Sequence, residues 1–303
     1  MNILITGSSG TIGTRLCEVL KGHNIIPVDQ VENKFIDIDT NICDLRDMEQ
    51  VNTLPTDVDM IIHLAANAKV HDSVVEPAIA YDNVTTTFNM LEFARLNGCK
   101  KFIFASSREV YGNVQQELYK EDMVSIDTCE SPYTASKMAG EALVQSYSRC
   151  YDIDHIIIRF SNVYGMYDIS NRVVPTFFRQ ALKSEDIHVY GDKVLDFTYI
   201  DDAIHGILQC IKKFDTACNN VFNIAYSGGT SIQDVADIII NKLGSLSSYK
   251  TIDIRVGEIS RYIADITKAK RLLDYRPKFY FSHGMYLAID WYEHYFLTHP
   301  QHV

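Results

Sequence analysis

The chain has 303 residues, 47% of them hydrophobic and 22% charged, a composition that suits one large globular domain or two joined ones and excludes disorder. Its formal net charge of −11 argues against a nucleic-acid binder, which would present a basic face to phosphates. The seven cysteines are scattered and odd in number, with no Cys-x-x-Cys pair, as expected of a reduced, cytoplasmic chain.

Asn2–Thr6 is a short apolar run that turns straight into glycines, so neither a membrane span nor a secretion signal is expected there. Gly7-Ser8-Ser9-Gly10-Thr11-Ile12-Gly13 follows, and Ile12, Leu16, Val19 and Leu20 then recur at helical spacing. A strand, a glycine turn and a helix in this order bring free helix N–H groups up to a pyrophosphate, the glycines allowing close backbone approach. Gly7, Ser9, Gly10, Thr11, Ile12 and Gly13 are therefore candidate cofactor contacts; a ligand-free turn is the plain alternative. Asn24–Val28 reads as a second strand closing with Asp29, 29 − 7 = 22 residues after the first glycine. A carboxylate there accepts hydrogen bonds from a ribose and repels a 2′-phosphate, which favours NAD over NADP. No arginine follows to reverse that preference, since Gln30, Val31 and Glu32 come next. Capping of the turn is the other role open to Asp29.

Phe35–Ile38 alternates as a strand does, Cys43–Asp47 leads into a helix, Val58–Leu64 is strand-like and Asp82–Glu92 helical. Lys101–Ala105 is a further strand, ending in Ser106-Ser107-Arg108-Glu109-Val110-Tyr111-Gly112. Ligands in open parallel sheets sit beyond the strands' carboxyl ends, so this loop should face the next motif, Ser131-Pro132-Tyr133-Thr134-Ala135-Ser136-Lys137. Pro132 suits a helix start. Tyr133 and Lys137 then share a helix face, with Cβ atoms roughly 5–6 Å apart. A fixed ammonium favours the phenolate of a tyrosine whose ordinary pKa is about 10, so Tyr133 is a candidate general base. His155–Phe160 is a sixth strand, running into Ser161-Asn162-Val163-Tyr164-Gly165. Beyond it the pattern is mixed. Val173–Lys183 and Ser231–Lys242 are helical, Ile187–Tyr190 and Asp196–Ile200 strand-like, and Asn219–Ala225 should return a strand to the main sheet. In Arg255-Val256-Gly257-Glu258 the guanidinium suits phosphate oxygens and the carboxylate ribose hydroxyls, with a solvated ion pair as the alternative. The histidines form no compact ligand set, so no metal site is expected.

These motifs, in this order and over nearly the whole chain, resemble the extended short-chain dehydrogenase/reductases, and within them the NAD-dependent nucleotide-sugar epimerases and dehydratases of the UDP-glucose 4-epimerase type. The resemblance implies an α/β fold: a Rossmann-type doubly wound parallel sheet with a smaller α+β C-terminal substrate domain. The expected division is 1–165 for NAD, with 195–225 returning to it, and 166–303 mainly for the nucleotide sugar. The resemblance also places Gln30, Asp44, Leu45 and Phe160 beside the cofactor, makes Leu64, Ala65 and Ala66 its small-residue floor, and gives Asn83 a structural, cofactor-adjacent place. Ser107 stands where the family has its catalytic Ser or Thr, and Lys137 where it holds the nicotinamide ribose. Arg108, Asn162, Val173, Arg255 and Glu258 fall at substrate positions. One residue departs from the pattern. Leu195 precedes Asp196-Phe197-Thr198-Tyr199 where the family has an arginine on the substrate diphosphate or on a uronic carboxylate, so Lys193 or another cation must substitute, or the substrate group differs.

The implied reaction is C4 epimerisation of a UDP-sugar through a 4-keto intermediate. The alternative is a dehydratase using Glu109 as base at C5, although Arg108 stands where 4,6-dehydratases carry an aspartate. A non-catalytic NAD-binding regulator is a third option, disfavoured because such proteins lose the tyrosine or the lysine and both are present. The resemblance also implies a homodimer packed through the Asn83–Asn97 helix and the helix after Tyr133, with Phe88, Leu91, Ala94 and Arg95 spaced for one face.

Overall fold

A computed structural model of the protein describes residues 1–302; the last residue of the expected 166–303 unit lies outside them. The first six strands are β1 Asn2–Thr6, β2 Asn24–Asp29, β3 Asn41–Ile42, β4 Met60–His63, β5 Lys101–Ser107 and β6 Asp154–Phe160. They are followed by β7 Asn162–Tyr164, β8 Ile187–Tyr190, β9 Val194–Tyr199 and β10 Asn220–Ile224. The central sheet is parallel throughout, in the order β10-β6-β5-β4-β1-β2-β3. Its strands are near-continuous apolar runs because both faces are covered by helices. Ile3, Ile5, Ile62 and Ile103 pack on one face, and Leu4, Ile61, Phe102 and Phe104 on the other. Strand order reverses between β1 and β4, and that is where an open parallel sheet leaves a crevice at the carboxyl ends of its strands.

The helix Pro132–Tyr151 lies against β5 and carries Tyr133 and Lys137. Its start is fixed locally. Ser131 Oγ accepts the Thr134 N–H at 3.1 Å and proline occupies the first turn. Gly140 lets it approach closely, since a Cβ there would sit 2.4 Å from Phe104 Cζ.

A smaller sheet centres on β9, which pairs with β7, with β11 Gly229–Ser231 and with β13 Arg261–Tyr262; β8 pairs separately with β12 Tyr249–Ile252. Within 195–225, β9 stays in this smaller sheet. The helix Ile200–Lys212 packs on Thr11–Val19 of the central layer, with Arg15 Nε 2.7 Å from Asp201 Oδ1, and β10 joins the central sheet beside β6.

Two expectations are corrected. Phe35–Ile38 is not a strand, because Asn33 Oδ1 takes the N–H groups of Phe35 and Ile36 and bends the chain, and the third strand is Asn41–Ile42. Leu91 and Ala94 do not join an outer face with Phe88 and Arg95, because both are buried in this chain's own core. No helix among the described residues is long and apolar enough to cross a membrane.

Candidate active site

The glycine turn is closed by its own backbone. Gly7 has φ +70°, and a Cβ on it would lie 2.8 Å from Ala65 N; one on Gly13 would lie 2.0 Å from the Gly7 carbonyl oxygen. The helix that follows has no side-chain cap, so its first N–H groups are left for a ligand. Asp29 braces this turn: Oδ2 accepts the Ser9 N–H at 2.9 Å and Oδ1 the Gln30 N–H at 2.7 Å.

A cleft of about 680 Å³ runs from this turn to the smaller sheet. Of the expected residues, Gly7, Gly10, Thr11, Ile12, Gly13, Leu64, Ala66, Ser107, Arg108, Glu109, Tyr133, Lys137, Phe160, Asn162, Val173, Arg255 and Glu258 line it. Seven others stand outside its lining. Ser9, Asp29 and Gln30 form the rim of the turn. Ala65 lies under Gly7. Asp44 is ion-paired to Arg46 at 2.7 Å, whose hydrogen bond holds the carboxyl below its ordinary range. Leu45 is buried, its carbonyl accepting Asn89 Nδ2 at 2.8 Å. Asn83 is a bracket, tied to both backbone groups of Asn67 and to Ser136 Oγ.

At the reaction end, Ser107, Tyr133 and Lys137 line the cleft together, and Ser107 Oγ accepts the Glu109 N–H at 3.2 Å. Lys137 does not drive Tyr133 toward phenolate in the way helix spacing suggests. Its Nζ donates to the Ala105 carbonyl at 2.9 Å and lies 5.9 Å from the centre of the Tyr133 ring. Burial raises the Tyr133 pKa above its ordinary value, opposed by the neighbouring Ser107 hydroxyl and by Arg172 and Arg108. Burial also pulls Lys137 down to about 8, with Glu141 pushing the other way.

Glu109 is buried, which raises its pKa, and Arg108 opposes that through a 2.7 Å contact to Oε1. Glu109 Oε2 and Arg108 Nη1 are buried without a partner, a half-satisfied pair that a bound ligand can complete. Arg108 Nε reaches Asn162 Oδ1 at 3.3 Å, and Asn162 Nδ2 donates to the Asp196 carbonyl at 3.0 Å.

Toward the smaller sheet, Arg255 lies 3.7 Å over the Tyr190 ring, a cation–π contact. Leu195 lines the cleft, and Lys193, the nearest cation in sequence, is taken by Glu258 in a close ion pair. The cleft holds further basic side chains that the sequence motifs did not mark, among them the guanidinium groups of Arg172 and Arg179 and the imidazole of His188. Arg172 forms no salt bridge among the described residues. It had one faint signal, since a cation at a helix N-cap opposes the helix dipole and so marks a position held for another reason.

A doubly wound sheet, a glycine turn at its crossover, and Ser107 beside the buried Tyr133 and Lys137 define a nucleotide-dependent enzyme. The chain belongs to the NAD-dependent epimerase/dehydratase family, whose model matches residues 3–225, and its cofactor is NAD. It is 30% identical to the solved UDP-glucose 4-epimerase of Thermotoga maritima with UDP-glucose, which superposes with a TM-score of 0.88 over 97% of this chain and 99% of that one. It is 29% identical to the UDP-glucuronate 4-epimerase of Thermodesulfobacterium geofontis over 95% of each chain. It is also 29% identical to a dTDP-glucose 4,6-dehydratase of Streptomyces antibioticus, over 96% of this chain and 92% of that one.

Proposed function

We propose that the protein is a nucleotide-sugar 4-epimerase acting on a UDP-sugar, with residues 1–165 serving NAD and 166–303 mainly the nucleotide sugar. The observation that carries this reading is Tyr133, buried and lining, with Ser107 and Lys137, a cleft that has the glycine turn at one end and Arg255 at the other. NAD bound at the turn supplies a hydride acceptor at C4 that is regenerated in each cycle. Tyr133 takes the C4 hydroxyl proton and returns it, and Ser107 orients that hydroxyl. Lys137, fixed by the Ala105 carbonyl, holds a ribose hydroxyl. Arg172 and Arg255 are the free cations for the substrate's charged groups, in place of the arginine that Leu195 replaces. Asp29 faces ribose hydroxyls at the rim of the turn, and the adenine lies toward Asp44 and Leu45. The enzyme is a cytoplasmic homodimer, supported by its free cysteines and by an outward aromatic face on the Ala78–Leu96 and Pro132–Tyr151 helices.

A second reading, dehydration, is favoured by one observation: Glu109 Oε2 is buried, unpartnered and of raised pKa, as a C5 base would be. Incubation with UDP-, GDP-, dTDP- and CDP-sugars in D2O, read by NMR, separates the two. Unlabelled 4-epimer from a UDP-sugar, retained in Glu109→Gln, is the expected result. A 4-keto-6-deoxy product labelled from solvent and lost in Glu109→Gln would make the enzyme a dehydratase.

A further inference from the structure

His63, at the end of β4, is buried below the cleft and touches none of it. Its ring sits at the centre of a hydrogen-bonded chain whose direction can be worked out proton by proton. The Thr87 hydroxyl donates its only proton to the Asn83 carbonyl at 2.8 Å, so toward His63 Nε2, at 3.3 Å, it can only accept. Nε2 therefore carries the ring proton. Nδ1, 2.8 Å from Thr6 Oγ1, is then the acceptor for the Thr6 hydroxyl, which itself accepts the Ala65 N–H at 3.3 Å. Only the neutral Nε2–H imidazole satisfies every member, and a half-satisfied buried chain is costly.

The two ends of the chain lie at the two halves of the site. Thr6 is the residue before Gly7, and Ala65 is the backbone against which Gly7 closes. From Thr87 the chain continues through Asn83, whose Nδ2 donates to Ser136 Oγ at 3.2 Å, and Ser136 Oγ donates to the Tyr133 carbonyl at 2.7 Å. A second, apolar path starts from the same ring. His63 stacks on Phe104, with centroids 6.0 Å apart and planes 18° from parallel. Phe104 lies 5.2 Å beneath Lys137 Nζ and fills the notch left by Gly140.

We infer that His63 is a positioning residue for the reaction, holding the Tyr133–Lys137 helix in register with the glycine turn through the Thr87–Asn83–Ser136 chain and the Phe104 ring. This rests on the epimerase reading for its rate measurements, but its first test does not. NMR of the His63 imidazole should show the Nε2–H tautomer in the full-length protein and a mixed tautomer in Thr87→Val, whereas an Nδ1–H or cationic ring in the wild type overturns the inference.

The second test is turnover of UDP-glucose and UDP-galactose by the NAD-loaded enzyme, per mole of bound NAD so that unfolded protein does not count. His63→Phe keeps a ring on Phe104 without donor or acceptor; kcat should fall about tenfold with KM within about twofold, as expected of lost alignment with substrate binding intact. Thr87→Val and Ser136→Ala, which change little volume, should each lower kcat several-fold. The Thr87→Val/Ser136→Ala double variant should be no worse than the poorer single one, because both cut one chain. Wild-type kcat in these variants, additive losses, or a loss lying wholly in KM overturns the inference, and the Thr87–Ser136 pair decides it if His63→Phe does not fold. If the wild type turns over neither sugar, the same measurements are made with the UDP-sugar that the nucleotide-sugar panel identifies; if it epimerises none, the epimerase reading fails and the NMR result decides the placement of His63.

Discussion

The Tyr133 phenol is buried, and burial disfavours its anion, so the positive charges and the donor around it are what make it usable as a base. Tyr133→Phe removes only that oxygen. Turnover should drop about 10²–10⁴-fold, as general acid–base help is lost, while calorimetry still shows nucleotide-sugar binding. Full activity in this variant would end the proposed scheme. Lys137 gives the pH dependence. Its pKa is pulled down from that of an ordinary lysine to about 8, so the ammonium is present at neutral pH and lost as pH rises through that value. Turnover should therefore decline on the alkaline side near pH 8. Glu141 is the group that raises Lys137, so Glu141→Gln should move this limb to lower pH. It also leaves Arg159, 2.7 Å from Glu141, buried and unpaired, which costs about 3–5 kcal/mol and should appear as a lower Tm. An alkaline limb unmoved in Glu141→Gln would show that it reports another group. The Tyr-x-x-x-Lys pair and the Ser107 loop were legible in the sequence because their chemistry is carried by residues close along the chain. The fault lay in the direction of Lys137. Helix spacing fixes where Cβ atoms lie, and a four-carbon stem then chose the Ala105 carbonyl.

At the level of elements, the strand, glycine turn and helix were readable because each residue does one local job. Gly13 is the sharpest case. Its Cβ position falls 2.0 Å from the backbone oxygen of Gly7, which cannot move aside as a side-chain tip could. Gly13→Ala should therefore open the turn, and overpacking of this kind typically costs about 1–3 kcal/mol. The purified variant should carry little NAD by absorbance of the denatured extract, with a lowered Tm. Wild-type NAD content would show that the turn does not cradle the cofactor. Phe35–Ile38 was misread because alternation is a signal of burial, while the side chain of Asn33 settled the backbone there. The helices Ile200–Lys212 and Phe281–Thr298 escaped the motif-led reading although their buried positions, such as Met285, Ala288, Ile289, Tyr292 and Phe296, do recur at helical spacing. Arg172 and His188 were hidden for a different reason: they reach the cleft only when separate segments converge, and apart from the position of Arg172 at a helix N-cap nothing local marks them as cleft residues.

At the scale of the whole molecule, the helices Ala78–Leu96 and Pro132–Tyr151 pack together on one side of the central sheet and leave a flank uncovered. Tyr81 is 72% exposed, Phe88 44%, Leu96 59% and Tyr151 43%. Phe88 meets Tyr147 edge-on at 6.5 Å, Tyr147 meets Tyr151 at 5.0 Å, and Arg95 lies 5.3 Å over the Tyr151 ring, so the exposed Phe88 and Tyr151 are joined through the buried Tyr147 ring. A flank that exposes several large apolar side chains is a candidate association site. A two-fold axis would set the same patch of a second copy against it and need no complementary surface elsewhere. In such a dimer the outward residues would take the place of Leu91 and Ala94, because those two already serve the chain's own core. Sedimentation at micromolar concentration should therefore give a dimer. Phe88→Glu would place a carboxylate in the joined face, one helical turn from Glu92, whose own charge is already met by Arg95 at 2.8 Å. That variant should sediment as a monomer with its circular dichroism unchanged. A wild-type monomer at the same concentration would return this face to solvent and leave its aromatic surface without an occupant.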